Sequence, residues 1–239
     1  MNNKIDLVMV AFNEADSIEE VLRSFYAVAS KYADVQIIVA EDGSMDGTRE
    51  ILKKLAEELP LKLELADHRR GYAGAVKDAL KATTADTIAF VDSDGQYLPD
   101  DFPNLIASWR EKDKDMVMGA KTARQDPPYR ILISWIYHSL VKFLFRVPFK
   151  DMDCGYRFIR KELAQSIAPE CYLLPYSYWS EFTVRAYRKG FEISTVSIDH
   201  RERLAGVSRM YPIMKLPLMT VRQLRGLCVL YREIVSGTK

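Results

Sequence analysis

Short apolar runs alternate with helical segments along the first half of the chain, and this alternation constrains the fold more than any other feature. The runs "IDLVMVAF", "VQIIVA", "LKLELA" and "TIAFV" are each followed by a segment with the apolar spacing of an amphipathic helix. Repeated strand–helix units of this kind predict a mostly parallel sheet that is covered by helices on both faces. The sequence therefore predicts an α/β protein.

The second half of the chain is less regular. A fifth run, "DMVMGA", predicts another strand, and "EISTVSI" predicts a sixth. Residues 129–147 are apolar nearly all round and predict a surface or interface helix, and residues 178–190 predict another helix. Residues 210–235 predict one or two cationic amphipathic helices, punctuated by Pro212 and Pro217.

The length of the chain fits one large domain with a small appendage. With 239 residues and 48% hydrophobic residues, the chain can bury a substantial core. We expect residues 1–210 to form the main domain. Residues 211–239 are then a carboxy-terminal amphipathic helical segment, packed on that domain or on a membrane surface.

Charge and cysteine content exclude several classes of protein. The 34 basic and 33 acidic residues give a net charge of +1, which does not favour nucleic acid as a partner. Three widely spaced cysteines without a CxxC pair argue against a disulfide framework and a thiolate metal site, so we expect a cytoplasmic protein. No apolar run approaches the roughly 20 residues that span a bilayer.

Four polar clusters follow the first four predicted strands. They read "NE", "EDGSMDGT", "HRRGYAGA" and "DSDGQ". In open α/β sheets, ligands bind beyond the carboxyl ends of the strands. We therefore expect the four clusters to converge on one edge of the sheet and to form a site there.

The fourth cluster has the composition of a metal site. Asp92 and Asp94 stand just past a strand end, where a turn at Gly95 would let both carboxylates face one ion. Gln96 would add a neutral oxygen, and hard oxygen ligands suit Mg²⁺ or Mn²⁺ when substrate phosphates complete the shell. A pair of aspartates that only forms a turn and caps the next helix would explain the same motif, but its context favours the metal site.

The second cluster also has two explanations. A carboxylate at a strand end, such as Glu41 or Asp42, would accept hydrogen bonds from a nucleobase or ribose. Ser44, Asp46 and Thr48 would equally serve as caps for a helix that starts near Gly47. The glycines of the third cluster suggest phosphate binding, although this pattern alone is weak.

Taken together, the clusters resemble a known family. The motifs "AFNE", "EDGSMDGT", "RRGYAGAVKDAL", "DSDGQY", "DMDCGYRFIRK" and "HRERLAGVSRM" occur in the order and approximate spacing of family 2 glycosyltransferases with the GT-A fold. Within that family the chain looks most like the polyprenyl-phosphate branch, which includes the dolichol-phosphate mannose synthases. The resemblance covers roughly residues 4–210. It implies a metal-dependent, inverting transfer of a sugar from a nucleoside-diphosphate sugar, such as GDP-mannose or a UDP-hexose, to a polyprenyl phosphate.

The resemblance also implies roles for individual residues of the donor site. Phe12 and Glu14 match positions that line the nucleotide pocket, and Asp42 matches the aspartate that binds the base. The metal and diphosphate site matches Asp92, Asp94 and Gln96. Arg203 matches the arginine that holds the donor diphosphate, with Ser208 and Arg209 completing that motif; Arg209 replaces the usual lysine.

On the acceptor side the resemblance leaves alternatives open. Gly155 and Arg157 match an "SGFR" motif in which Cys154 replaces the serine. A lipid phosphate is already anionic and would need only positioning by cations such as Arg157. A sugar hydroxyl would need a general base, for which Asp151 and then Asp153 are the candidates. Glu181 is a secondary candidate, since the family often has an acidic residue at this position.

Two other classes of protein compete with the transferase hypothesis. A nucleotide-binding protein that lost its activity would show a broken DxD or arginine motif, whereas both are intact here. A nucleotidyltransferase usually has a glycine-rich basic loop after its first strand, where this chain reads "AFNEADS".

The place of action follows from the acceptor. A lipid acceptor would be met from the cytoplasmic face of the membrane by the apolar and cationic segments at 129–147 and 214–234. The same segments would otherwise cover the sheet or form a dimer contact.

Overall fold

The central sheet is organised around β1 (Lys4–Ala11), in which seven of eight residues are buried. In this computed structural model, which describes residues 3–124, 128–201 and 216–235, β1 lies parallel to both β2 (Asp34–Glu41) and β4 (Thr87–Phe90). The next strand outward, β3 (Leu61–Leu65), pairs parallel with β2. The predicted parallel half of the sheet is confirmed.

Helices connect these strands, as the apolar spacing predicts. The connections are α1 (Ile18–Ala29), α2 (Thr48–Glu58) and α3 (Tyr72–Lys81), and α4 (Phe102–Lys112) leads on to β5 (Met116–Arg124). The side chains of β1 alternate between the two faces of the sheet, as required by the period of two in a strand. Leu7 and Met9 pack with α1, α2 and α4 on one face, whereas Val8 and Val10 pack with α3 on the other.

The second half completes a seven-stranded sheet in the order β3-β2-β1-β4-β6-β5-β7. Its elements are α5 (Pro128–Phe145), β6 (Arg157–Arg160), α6 (Lys161–Ile167), α7 (Tyr178–Arg188), β7 (Ile193–His200) and α8 (Leu216–Val235). β6 runs antiparallel between β4 and β5, and β7 is parallel to β5. β6 escaped prediction because "RFIR" has only two apolar residues, flanked by arginines.

Local capping differs from what the sequence suggests. Asp16 and Glu19 have the spacing of a capping box, but the residue before α1 is Ser17, which makes no side-chain cap hydrogen bond. Instead, the Ser17 hydroxyl donates to the Glu14 carboxylate at 3.2 Å. At α2 the residue before the helix is Gly47, and of the three predicted caps Asp46 accepts the backbone N–H of Thr48 at 3.1 Å.

The last described helix, α8, packs on α5 and α7. Leu227 and Leu230 are buried in the core, and the Gln223 side chain donates to the Tyr137 hydroxyl of α5 at 3.1 Å. The opposite side of α8 and much of α5 are exposed and apolar, as described below. Within the described ranges, no helix is long and apolar enough to cross a membrane. The predicted boundary at residue 210 falls outside those ranges and stays a prediction.

Glu181 is a buried anchor for this packing. Its carboxylate is 1% exposed and accepts the backbone N–H groups of Tyr172, Leu173 and Leu174 at 2.8 to 3.2 Å. The guanidinium of Arg185 bridges Glu181 at 2.9 Å and Glu233 of α8 at 2.7 Å. These contacts give Glu181 a structural role in joining a loop, α7 and α8.

We predict that Glu181→Ala lowers the free energy of unfolding by about 3–5 kcal/mol, because it leaves three N–H groups and part of the Arg185 charge uncompensated in the interior. The melting temperature should fall by roughly 10 °C for a chain of this size. Glu170→Ala is the matched control, since its pair with Lys189 is half-exposed and should contribute about 1 kcal/mol or less. Equal losses in the two variants, measured by urea unfolding, would contradict the anchor role.

Candidate active site

The loops that follow β1 and β2 are bonded to each other. Asn13, which has a left-handed φ of 54°, donates its N–H to the Ser44 hydroxyl at 2.9 Å, and its side chain accepts the N–H of Met45 at 2.9 Å. The N–H of Glu14 donates to the Thr48 hydroxyl at 2.9 Å. Ser44 and Thr48, predicted as helix caps, therefore hold the "NE" loop in place.

Asp42 connects the second cluster with the third. It is 3% exposed, and its two oxygens accept the backbone N–H groups of Arg70 at 2.6 Å and Gly71 at 2.9 Å. The Arg69 guanidinium lies 4.0 Å from the centre of the Phe12 ring and 4.0 Å from Asp42. Each carboxylate oxygen has two lone pairs, so Asp42 retains the capacity to accept from a nucleobase beside Phe12.

Asp92 lies just beyond β4 and is partly buried. Its Oδ1 accepts the hydroxyl proton of Tyr72 at 2.6 Å. Its Oδ2 lies against Gly155, where any Cβ would overlap it. Burial and the nearby charge of Asp94 raise the pKa of Asp92 to about 6, while the charges of Lys121 and Arg157 oppose that rise. Two carboxylates are thus held together at an electrostatic cost.

The residues present fit a divalent cation that is bound jointly with substrate phosphates. In the part of the chain that the structure describes, no group of three or more His, Cys, Asp or Glu residues could hold a metal alone. Asp92, Asp94 and the side-chain oxygen of Gln96 form a hard oxygen donor set, and Mg²⁺ is typically held by one or two carboxylates plus phosphates. A cation here would also offset the repulsion that raises the pKa of Asp92.

The turn around Asp94 is bonded to the end of β7. The Asp94 carboxylate accepts the N–H of Gln96 at 3.1 Å, and Gly95 has a left-handed φ of 72°. The guanidinium of Arg201 donates to the Gly95 carbonyl at 2.6 Å, and the Gln96 amide donates to the Arg201 carbonyl at 3.3 Å. Arg203, Ser208 and Arg209 lie outside the described residues, so their predicted roles stay predictions.

The loop before β6 forms the other wall of the site. Asp151 lies 3.6 Å from the ammonium of Lys121, and this pair is largely buried. Asp153 accepts the N–H of Ser180 at 2.9 Å and lies 3.5 Å from His138. Burial alone would raise the pKa of Asp153, but the bonds and charge of His138 and the bonds of Ser180 hold it below its ordinary value.

Arg157 lies in the core, where we expected a cation that touches the acceptor. Its guanidinium is 0% exposed and donates to the carbonyls of Met152 and Cys154 and to the Thr183 hydroxyl, and burial lowers its pKa. It also lies 4.1 Å from the centre of the Trp179 ring. This arrangement argues against direct contact with an acceptor, so Arg157 would affect the site through its charge and through its packing on Trp179.

Two side chains of the site, those of Lys121 and Tyr72, were not predicted from the sequence. Lys121 follows the fifth predicted strand, and a cation at a strand end next to the other clusters was the signal for it. Tyr72 is the first residue of α3, and nothing in its sequence context indicates that its hydroxyl reaches Asp92.

The chain matches the family model "Glycosyl transferase family 2" over residues 6–168. Its relatives include the glycosyltransferase AglD of Haloferax volcanii, 28% identical over 82% of this chain and 33% of that protein. They also include the undecaprenyl-phosphate 4-deoxy-4-formamido-L-arabinose transferase of Pseudomonas savastanoi, 27% identical over 90% of this chain and 63% of that protein. The polyprenol monophosphomannose synthase of Mycolicibacterium smegmatis is 26% identical over 85% of this chain and 80% of its own. The chain thus spans less than two thirds of the first two relatives.

Solved structures share the fold. Glucosyl-3-phosphoglycerate synthase of Mycobacterium tuberculosis, in complex with UDP, superposes with a TM-score of 0.71 at 21% identity, covering 96% of this chain and 80% of that one. The mannosyltransferase PcManGT of Pyrobaculum calidifontis, in complex with GDP-Man and Mn²⁺, gives a TM-score of 0.66 at 18% identity, covering 98% of this chain and 65% of that one. The family match covers well over half of the chain. This protein therefore belongs to glycosyl transferase family 2 and has the GT-A fold.

Proposed function

We propose that this protein transfers a sugar, with inversion, from a nucleoside-diphosphate sugar to a polyprenyl phosphate at a membrane surface. The observation that carries the proposal is the partly buried carboxylate of Asp92 beside Asp94, at the sheet edge where the Phe12 and Asp42 loops also converge. A structural turn would not require two like charges to be held beside each other in a partly buried position. A site that binds a cation with a diphosphate would.

On the donor side, the base would lie against Phe12 and donate a hydrogen bond to the Asp42 carboxylate, with Glu14 nearby. Asp92, Asp94 and Gln96 would hold Mg²⁺ or Mn²⁺ together with the diphosphate, and this cation would supply charge stabilisation for the leaving diphosphate. Solved neighbours in this fold hold Mn²⁺ with UDP or with GDP-Man. Arg203 stands two residues beyond Arg201, which is bonded to Gly95; together with Ser208 and Arg209 it would hold the diphosphate.

On the acceptor side, Lys121 is the cation among the described residues that is best placed to meet an anionic oxygen. It belongs to β5 and pairs with Asp151, and its charge reaches Asp92. An acceptor phosphate oxygen attacks the anomeric carbon as the bond from that carbon to the diphosphate oxygen breaks, and the electron pair leaves with the diphosphate. No proton has to be removed from the acceptor, so this chemistry needs positioning rather than a base. Two relatives are named for polyprenyl-phosphate or polyprenol substrates.

A second candidate is transfer to a soluble hydroxyl. One neighbour in this fold was solved with phosphoglyceric acid, and Asp151 would then be the base that takes the hydroxyl proton. Protonation of Asp151 would remove its ion pair with Lys121 at 3.6 Å, which disfavours Asp151 as a base. The polyprenyl phosphate is therefore the first candidate.

The exposed sides of α5 and α8 fit a lipid surface. Exposed apolar side chains on α5 include Leu132, Trp135, Ile136 and Phe143, and those on α8 include Leu218, Val221 and Leu224. The two helices contain a single acidic residue, Glu233, which is bonded to Arg185 and Tyr172. With Arg222, Arg225 and Arg232 exposed on α8, this surface combines apolar groups with positive charge, which suits an anionic membrane.

The proposal places the protein at the cytoplasmic face of the membrane. Cys154, Cys171 and Cys228 are all free thiols, as a reducing compartment would keep them.

We predict that Asp94→Asn reduces release of nucleoside diphosphate from a nucleotide sugar by at least about 100-fold, because one charge of the cation site is lost. The melting temperature should stay the same or rise, since the repulsion with Asp92 is removed. The exposed Asp100→Asn is the control and should keep wild-type turnover. Full activity of the wild type in EDTA, together with an active Asp94→Asn, would contradict the cation site.

We predict that the protein sediments with vesicles that contain an anionic phospholipid at low salt and is released at high salt. Each exposed arginine near such a surface contributes about 1 kcal/mol, so Arg222→Gln with Arg225→Gln should weaken binding roughly tenfold or more. Met45→Ser removes an apolar side chain that is 93% exposed on a different loop. This control should bind the vesicles as the wild type does. If the protein stays in the supernatant and glycosylates only soluble hydroxyls, the lipid-acceptor proposal is wrong and transfer to a soluble hydroxyl takes its place.

A further inference from the structure

The hydroxyl of Tyr72 lies between two side chains from distant parts of the chain. It donates to Oδ1 of Asp92 at 2.6 Å, and the indole Nε1 of Trp179 donates to it at 2.7 Å. Tyr72 begins α3, Asp92 follows β4 and Trp179 belongs to α7. The roles proposed above use neither Tyr72 nor Trp179.

The direction of both hydrogen bonds is fixed by chemistry. An indole N–H can only donate, so the Tyr72 oxygen must accept from Trp179. A phenol has one proton, and that proton is then left for Asp92. Trp179 thus orients the Tyr72 proton toward Oδ1, and Asp92 is held as an acceptor in one rotamer.

Neighbouring groups make this arrangement rigid. The Trp179 ring packs edge-on against Phe90 with 4.7 Å between ring centres, and the Arg157 guanidinium covers it at 4.1 Å. On the other side, Oδ2 of Asp92 lies against Gly155, and a side chain at position 155 would overlap this oxygen. The carboxylate is therefore confined between a fixed hydrogen bond and a glycine.

Residues 70–72, which include Tyr72, also hold Asp42, the second carboxylate of the donor site. The backbone N–H groups of Arg70 and Gly71 hold Asp42, and the next side chain, Tyr72, holds Asp92. Residues 70–72 therefore set the separation between the group assigned to the base and a group assigned to the cation.

We infer that Tyr72 is a positioning residue that holds the Asp92 carboxylate for the divalent cation and the donor diphosphate, with Trp179 orienting its proton. This inference rests on the proposed function and adds to it the residues that arrange the cation site. Partners that orient a metal ligand commonly contribute 10- to 100-fold to metal affinity.

The test compares Tyr72→Phe with Tyr187→Phe, a control that removes a hydroxyl from a ring packed on Phe149. Free Mn²⁺ is measured by electron paramagnetic resonance during titration in the presence of UDP or GDP, whichever the wild type binds. Tyr72→Phe should weaken Mn²⁺ binding by about 10-fold or more, while the control matches the wild type. Trp179→Phe keeps an aromatic side chain at this position but loses the indole N–H donor, so it should also weaken Mn²⁺ binding, by a smaller factor than Tyr72→Phe.

A second readout separates positioning from a general loss of structure. Binding of the corresponding nucleoside monophosphate in EDTA, followed by saturation-transfer NMR, should be equal in Tyr72→Phe and the wild type. If Tyr72→Phe weakens both kinds of binding equally, or binds Mn²⁺ as the wild type does, the inference is wrong and the proposed function stands. If the wild type binds no Mn²⁺ with either nucleotide, the proposed function fails and this inference fails with it.

Discussion

The partial burial of the Asp92 carboxylate beside Asp94 is the constraint on which the rest of the site depends. Removing a carboxylate from water is costly unless other groups compensate its charge, and here a second carboxylate adds to the cost. Burial and Asp94 together raise the pKa of Asp92 to about 6. The Tyr72 hydroxyl and the charges of Lys121 and Arg157 offset part of this cost. The remainder is what a divalent cation shared with a diphosphate would neutralise.

The fold supplies the geometry for this arrangement. β1 is paired on both sides with parallel strands, so the loops after β1, β2 and β4 leave the sheet at one edge. Hydrogen bonds between Asn13 and Ser44, and between Asp42 and Gly71, then fix those loops to one another. The antiparallel strand β6 contributes to the site in another way. It pairs with β4, and the loop before it brings Gly155 against Asp92.

The sequence predicted the parts of this protein that depend on local pattern. Apolar periodicity gave the parallel strands β1 to β4 and their helices, and the polar clusters at strand ends indicated the edge where Asp42 and Asp92 lie. The sequence pattern could not predict β6, because the partners of this strand lie about 40 and 70 residues away along the chain. The pattern also could not predict that the Tyr72 hydroxyl reaches Asp92. Nor could it predict that the Arg157 guanidinium is buried, which argues against its contact with an acceptor. These features are set by tertiary packing, which no local window contains.

The central claim is that Asp92 and Asp94 bind a divalent cation together with the diphosphate of a nucleotide. A crystal structure with Mn²⁺ and the nucleoside diphosphate, with anomalous data collected near the manganese edge, tests it most directly. The account predicts one anomalous peak about 2–2.5 Å from a carboxylate oxygen of this pair and from a phosphate oxygen, with the Tyr72 hydroxyl still bonded to Asp92. A nucleotide bound at this edge without a peak there, or a peak at other residues, would contradict it.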